Sequence, residues 1–186
     1  FFRSEFQEAR QSVEMVELSY GKLYDVSEAL RMGSRRSVDV VMCVDLNQVV
    51  EQSMVLAAAR LRVFDPEVIL GDLPSMACQP SYLGQVIINL LTNAADAMHE
   101  HCEKEGLKLG DQSIRLQTRP ESREGRDGVC LTLEDSGPGV PQSIRDKIFE
   151  SFFTTKPHGV GTGLGLAISV KIVREHQGQI EVGDSE

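Results

Sequence analysis

Two glycine clusters within Glu134–Leu166 are the residues best suited to do chemistry in this 186-residue chain. The first, Asp135-Ser136-Gly137-Pro138-Gly139, ends an apolar run. The second, Gly159-Val160-Gly161-Thr162-Gly163-Leu164-Gly165-Leu166, opens a helical pattern over Leu166–His176. Glycines at this density let the backbone turn through positive φ and approach a ligand with no Cβ in the way. A glycine-rich loop that feeds a helix N-terminus presents unpaired N–H groups and positive dipole density, which suits phosphate. An acidic group in one cluster and a phosphate cradle in the other predict a nucleotide held between them. The common phosphate motifs are absent: there is no G-x-x-x-x-G-K-[ST], and Gly161, Gly163 and Gly165 are spaced G-x-G-x-G. On its own, a glycine-rich loop is equally compatible with a loop that binds nothing.

A third stretch adds weight. In Gln85–Ala97 the residues Val86, Ile87, Leu90, Leu91 and Ala94, continuing to Met98, form an apolar helical stripe. Asn89 and Asn93 sit at i,i+4 and so share one face. Asn is a mediocre residue for a helix interior, but its neutral amide oxygen can ligate Mg²⁺ or accept a hydrogen bond without adding charge beside phosphates. An isolated pair of this kind also fits a solvated helix surface.

Taken together, these stretches resemble the ATP-binding domain of the histidine kinases, in the GHKL superfamily that also holds gyrase, the heat-shock chaperone ATPases and the mismatch-repair ATPases. Asn89-Leu90-Leu91-Thr92-Asn93-Ala94-Ala95-Asp96-Ala97 is similar to the N-box, and Asp135-Ser136-Gly137-Pro138-Gly139 to the G1 box. Phe149-Glu150-Ser151-Phe152-Phe153 resembles the F-box, with Thr154-Thr155-Lys156 following in the lid, and Gly161-Thr162-Gly163-Leu164-Gly165-Leu166 the G2 box. The likeness extends over about Val38–Val182, and its lid is most similar to kinases of nitrogen-regulation and dicarboxylate-sensing type. Ser151 stands where the family usually has proline. The implied fold is α+β, a two-layer sandwich of Bergerat type with a mixed sheet under helices, preceded by a long coiled-coil-like helix.

The elements that must position these motifs follow in chain order. Phe2, Phe6, Ala9, Val13, Val16, Tyr20, Leu23 and Leu30 form a heptad seam, interrupted at Ser27, on a helix of about 50 Å that calls for a partner helix. By the resemblance, residues 1–33 are the second helix of a dimerisation and phosphoacceptor hairpin whose first helix lies upstream. Residues 34–37 are a linker, and residues 38–186 are the catalytic domain, its C-terminal strand expected to be missing. Val38–Val44 reads as a strand, and Leu46–Arg60 as a helix capped by Asp45 or Asn47. Arg62–Phe64 and Val68–Leu70 read as short strands, or as one strand kinked at Pro66, and a helix from Gln79, Pro80 or Ser81 runs to about His101. Ser113–Thr118 and Val129–Glu134 form a hairpin around the charged turn Pro120–Gly128. Pro141 starts a short helix, Gly178 stops the last one, and Gln179–Val182 begins another strand.

Composition sets further bounds. A net charge of −9 without a basic patch argues against nucleic acid. No stretch approaches about 18 consecutive apolar residues, so no segment here reads as a membrane span. The chain opens Phe1-Phe2 and is expected to be a piece of something longer. Cys43, Cys78, Cys102 and Cys130 are far apart and read as thiols in a reducing cytosol. His99, His101 and Cys102 read as a solvated helix end and not a metal site, His158 falls in the lid, and His176 ends a helix where a cation suits the dipole. No histidine is placed to be a phosphoacceptor.

What the resemblance implies is specific. Asp135 accepts from the adenine amino group, with Gly137 and Gly139 letting the base come close. Asn93 ligates Mg²⁺, with Asn89 supporting metal or phosphates. Lys156, Thr162 and the N–H groups of Gly163, Leu164 and Gly165 surround the phosphates, and Asn89, Asn93 and Lys156 carry the catalysis. Asp96, Phe153, Thr155, Gly161 and Leu166 complete the cofactor site, and Phe149, Phe152 and Phe153 pack to anchor the lid hinge. The implied cofactors are ATP and Mg²⁺, and the implied activity is that of a protein-histidine kinase. The implied partners are a response regulator receiver domain and the chain's own dimerisation hairpin, in a cytoplasmic part of a homodimer. The alternative is an ATPase switch that dimerises on nucleotide. The hydrolysing members carry glutamate at the first N-box position to activate water, and this chain has Asn89 there. A docking module without catalysis is a third reading.

Overall fold

The computed structural model describes residues 41–123, 125–156 and 161–184. The heptad helix over 1–33 and the linker 34–37 lie outside the described residues, as does His158. Eight elements form an α+β domain: β1 Met42–Val44, α1 Leu46–Leu61, β2 Glu67–Leu70, β3 Met76–Cys78, α2 Pro80–Glu105, β4 Ile114–Arg123, β5 Arg126–Asp135 and α3 Gly165–Glu175. Short 3₁₀ turns occupy Leu109–Asp111, Gln142–Ile144 and Lys147–Phe149. β2, β4 and β5 form a mixed sheet, with β2 parallel to β4 and β4 antiparallel to β5, while β1 pairs with β3 in a separate antiparallel ladder.

The layering follows from side-chain period. Along β4, Ile114, Leu116 and Thr118 are buried and Arg115, Gln117 and Arg119 exposed, the two-residue alternation of a sheet with one face covered. Helix α1 buries Leu46, Val49, Val50, Ser53, Ala57 and Leu61, and α2 buries Ile87, Leu91, Ala94, Ala95 and Met98. These pack with Ile114 and Leu116 into one core, each large side chain contributing about 2 kcal/mol by leaving water. A second cluster, Tyr82, Val86, Leu164, Ile168 and Ile172, fastens α3 to α2.

Local chemistry sets the helix ends. The Asp45 carboxylate accepts from Asn47 N at 2.9 Å and caps α1. Asn47 is thus inside the helix, its amide spent on Gly71 O and Thr118 Oγ1. Pro80 sits in the first turn of α2, and Gly106 at φ +69° ends it with Leu107 N bonded to Cys102 O. Beyond Asp135, only Pro141 and its 3₁₀ turn match the expected short helix.

Several expectations need correction. Arg62–Phe64 is not a strand: it is the turn that ends α1, with Phe64 N bonded to Leu61 O and the ring 3% exposed. The hairpin strands are longer than expected, since pairing continues to Arg123↔Arg126. Pro120 is tolerated because β2 pairs with β4 only as far as Thr118, so no third strand needs its missing N–H. Met76–Cys78 is an unforeseen strand, too short to show an alternation. Gln179–Val182 forms no strand, although Glu181 pairs with Arg123 of the hairpin at 3.3 Å.

Candidate functional site

Three elements converge on one face. Helix α2 presents Asn89, Asn93 and Asp96 at i, i+4 and i+7; β5 ends at Asp135; and α3 begins at Gly165. Asn89 joins two of them, its Nδ2 donating to Gly165 O at 3.2 Å and to Ser169 Oγ at 3.4 Å. Ser169 is fully buried and itself donates to Gly165 O. The Asn89 amide is therefore a brace between α2 and the glycine-rich entry of α3. Asn93, one turn on and half-buried, makes no hydrogen bond through its amide among the described residues, which leaves its oxygen available to a ligand.

The acidic turn is held by its own atoms. Asp135 Oδ1 accepts from Gly137 N at 2.9 Å, an Asx turn, and Ser136 N donates to Ser113 O on β4's approach. A Cβ on Gly137 would stand 2.6 Å from Asp135 Oδ1 and 3.3 Å from Met98 Cγ, so glycine is required for the carboxylate to keep this pose. Gly139 has φ +67° and open space where a side chain would be. One carboxylate oxygen is thus fixed, while the other has no hydrogen-bond partner among the described residues. That is the disposition needed to accept from an exocyclic amine.

The second cluster is held from outside. Gly163 has φ +67°, and a Cβ there would stand 2.5 Å from Phe152 C and 2.7 Å from Phe153 O. Its carbonyl accepts from Phe152 N at 2.8 Å. The hinge contact is therefore made by the Phe152 backbone. Its side chain is 74% exposed, contrary to the expectation that it packs; Phe149 and Phe153 are half-buried. Phe152 itself adopts φ +69°, a costly conformation for a bulky residue that the bond to Gly163 helps to hold. Thr162 Oγ1 accepts from Leu164 N, and Thr154 Oγ1 from Lys156 N. Thr155 is exposed, Leu164 buried, and Gly161 and Leu166 half-buried. A Cβ on Gly161 would lie 2.6 Å from Thr154 Oγ1, so the loop passes tightly against the segment that carries Lys156. The first amides of α3 have no intrahelical partner, as at any helix start.

Charge meets charge at Asp96. Lys156 Nζ lies 2.6 Å from Asp96 Oδ2, and Arg60 Nη1 of α1 lies 2.7 Å from Asp96 Oδ1. Nothing in the sequence spacing marks Arg60 as a partner of Asp96; only the packing of α1 on α2 brings it there. A separate cleft of about 370 Å³, lined by Phe149, Ser151, Ala167, Val170, Lys171, Arg174 and Glu175, shares none of the ligand residues named above.

The remaining candidates resolve differently. Of the expected solvated helix end, Cys102 is instead buried at 4% exposure, and the half-buried His99 ring meets Phe64 edge-on with centroids 5.2 Å apart. His176 is engaged at both ring nitrogens: Nε2 accepts from Gln79 N at 3.0 Å and Nδ1 lies 2.8 Å from Ile172 O. It thereby ties the end of α3 to the start of α2. No three of the described His, Cys, Asp and Glu residues gather as a metal cluster. All four cysteines are unpaired; burial, helped by nearby Cys43, pushes the Cys78 thiol up, so it is a packing residue and not a nucleophile. No described helix is long and apolar enough to cross a membrane.

A mixed sheet under helices, with a polar helix face, an acidic turn and a glycine-rich helix entry brought together, defines a nucleotide-binding domain. Residues 78–186, more than half of the chain, match the family described as histidine kinase-, DNA gyrase B-, and HSP90-like ATPase, and the chain belongs to that family. It is 36% identical over 142 residues to the signal transduction histidine-protein kinase AtoS of Escherichia coli, covering 75% of this chain and 21% of AtoS. It is 32% identical over 161 residues to the C4-dicarboxylate transport sensor protein DctB of Pseudomonas aeruginosa, covering 84% of this chain and 24% of DctB. Full-length ShkA in complex with AMPPNP superimposes with a TM-score of 0.66 at 25% identity, over 87% of this chain and 32% of ShkA. The chain carries the ATP-binding catalytic domain of the sensor histidine kinase type, and spans less than a third of the length of the curated relatives it matches.

Proposed function

We propose that this domain holds Mg-ATP between Asp135 and the Gly161–Gly165 turn and offers its terminal phosphate to a histidine on a helical hairpin of the parent protein. The observation that carries the reading is the bond from Asn89 to Gly165 O, which sets the glycine-rich helix entry against the polar face of α2. The free oxygen of Asp135 accepts from the adenine amino group, and the open space at Gly139 admits the ring. Asn93 contributes an amide oxygen to Mg²⁺ without adding charge. Thr162, Lys156 and the amides at the start of α3 meet the phosphates. ATP supplies the phosphoryl group and Mg²⁺ offsets its charge; the protein contributes position and electrostatics.

Transfer is favoured over hydrolysis because the first N-box position is Asn89, whose amide is committed to Gly165 and Ser169 and offers no base for water. In this reading the acceptor histidine belongs to the parent's hairpin: His99 and His101 lie on α2 and His176 at the end of α3. A response regulator receiver domain is then the downstream partner, and the parent is a homodimer whose kinase part faces the cytoplasm. Calorimetric titration of Mg-ATP into the wild type and Asp135→Asn tests this. The expected result is binding that falls by at least about tenfold in the variant, the size expected for an unpaired buried hydrogen-bonding partner, with negligible turnover. Rapid hydrolysis by the wild type supports the ATPase switch, and absence of binding supports a docking module.

A further inference from the structure

Asp96 is an anion on the face of α2 where nucleotide phosphates are expected, and left alone it would repel them. It is not alone. Arg60 reaches it from the last turn of α1 at 2.7 Å and Lys156 from the segment after the F-box at 2.6 Å, one cation on each carboxylate oxygen. The trio carries a net single positive charge. Lys156 is only 27% exposed and Asp96 30%, so the bond is partly shielded from water. An ammonium has three donors. With one spent on Asp96, two remain for phosphate oxygens, and the rotamer freedom of a long side chain has already been given up.

We propose that Asp96 and Arg60 are positioning residues for the nucleotide: Asp96 holds the Lys156 ammonium over the Asn93 face of α2, and Arg60 holds the Asp96 carboxylate. Neither touches the reacting atoms. Lys156 then meets the phosphates already ordered. This inference rests on the nucleotide reading above and adds to it the residues that make Lys156 effective.

The test measures dissociation constants of this chain for Mg-ATP and for adenosine, which shares the base but has no phosphate. Lys156→Ala is expected to weaken Mg-ATP about tenfold, as loss of a charge-assisted contact should, and to leave adenosine unchanged. Asp96→Asn is expected to weaken Mg-ATP about fivefold and Arg60→Ala about twofold, in line with coupling through a partly exposed ion pair, again with adenosine unchanged. In the Lys156→Ala background, Asp96→Asn is expected to change Mg-ATP affinity by less than about twofold, because the coupling has already been removed. A merely structural role for Asp96 would lower adenosine affinity too and would survive in that background. Unchanged or tighter Mg-ATP binding in Asp96→Asn, with Lys156→Ala still weakened, overturns this inference and leaves the nucleotide site standing. Unchanged binding in Lys156→Ala removes Lys156 from the site and takes this inference with it. Arg60→Ala alters an exposed guanidinium and keeps the test decisive where Asp96→Asn disturbs folding: no effect there overturns the clamp.

Discussion

At Asp135–Gly139 the side chain of the turn closes it, with Asp135 Oδ1 accepting from Gly137 N, and Ser136 ties it to Ser113 just before the neighbouring strand. At Gly161–Gly165 the turn is held from elsewhere, by Phe152 N on the Gly163 carbonyl and by Asn89 of α2 on the Gly165 carbonyl. The first turn closes on its own Asx bond, with Ser136 anchoring it to the approach to β4. The second depends on two other segments being in place. A ligand that spans both couples an end closed by its own side chain to one borne by other segments. Order at the phosphate end is therefore the end open to modulation by the elements that hold it.

The sharpest way to break this contrast is Gly163→Ala. Both φ +67° and the 2.5 Å approach of a Cβ to Phe152 C oppose it, and backbone atoms cannot move aside cheaply. The expected loss is about 3 kcal/mol in urea denaturation, from strained dihedrals plus a clash; a loss under about 0.5 kcal/mol, the level of a neutral surface change, would mean the turn is free to relax. Asn89→Ala removes the brace and leaves buried Ser169 and the Gly165 carbonyl with one partner fewer. About 1–2 kcal/mol is expected for this, together with faster hydrogen exchange at the amides of Gly163 and Leu164 and no change at Gly137. Gly137→Ala should cost less stability, about 1 kcal/mol, because its clash is with a movable carboxylate. Its main effect should be on adenosine affinity, since Asp135 must swing aside. Ser136→Ala, which loses exposed contacts to Ser113 N and Gln112, is the smallest change, under about 0.5 kcal/mol by the same measurement.

The same contrast explains what the sequence made legible. Asp135 and its glycines, the i,i+4 asparagines and the G-x-G-x-G run into α3 are local patterns, and each lies where its spacing predicts. The brace on the second turn and the Arg60–Asp96 pair join residues far apart in the chain. Asn89 meets Gly165 and Ser169 across 76 and 80 positions, and Arg60 meets Asp96 across 36. No periodicity encodes such a pairing; it exists only once α1, α2 and α3 have packed. Phe152 misled for a related reason: an aromatic in an apolar run reads as core, whereas here its backbone is in demand and its ring is left exposed. His176 read as a helix-end cation, with nothing in its spacing to mark the bond from Gln79 at the start of α2. Pro120 and the charged residues around it obscured the upper half of the hairpin, because strand signals weaken where β4 has lost its β2 neighbour.

The central claim is that the two turns grip opposite ends of one nucleotide. It is tested most directly by following backbone amide resonances of the wild-type chain while adenosine and then Mg-ATP are added. The account predicts that adenosine perturbs Gly137 and Gly139 but leaves Gly163, Leu164 and Gly165 in place, and that Mg-ATP perturbs both sets at one common affinity. Mg-ATP shifts confined to one turn, or titrating at two different affinities, would contradict it.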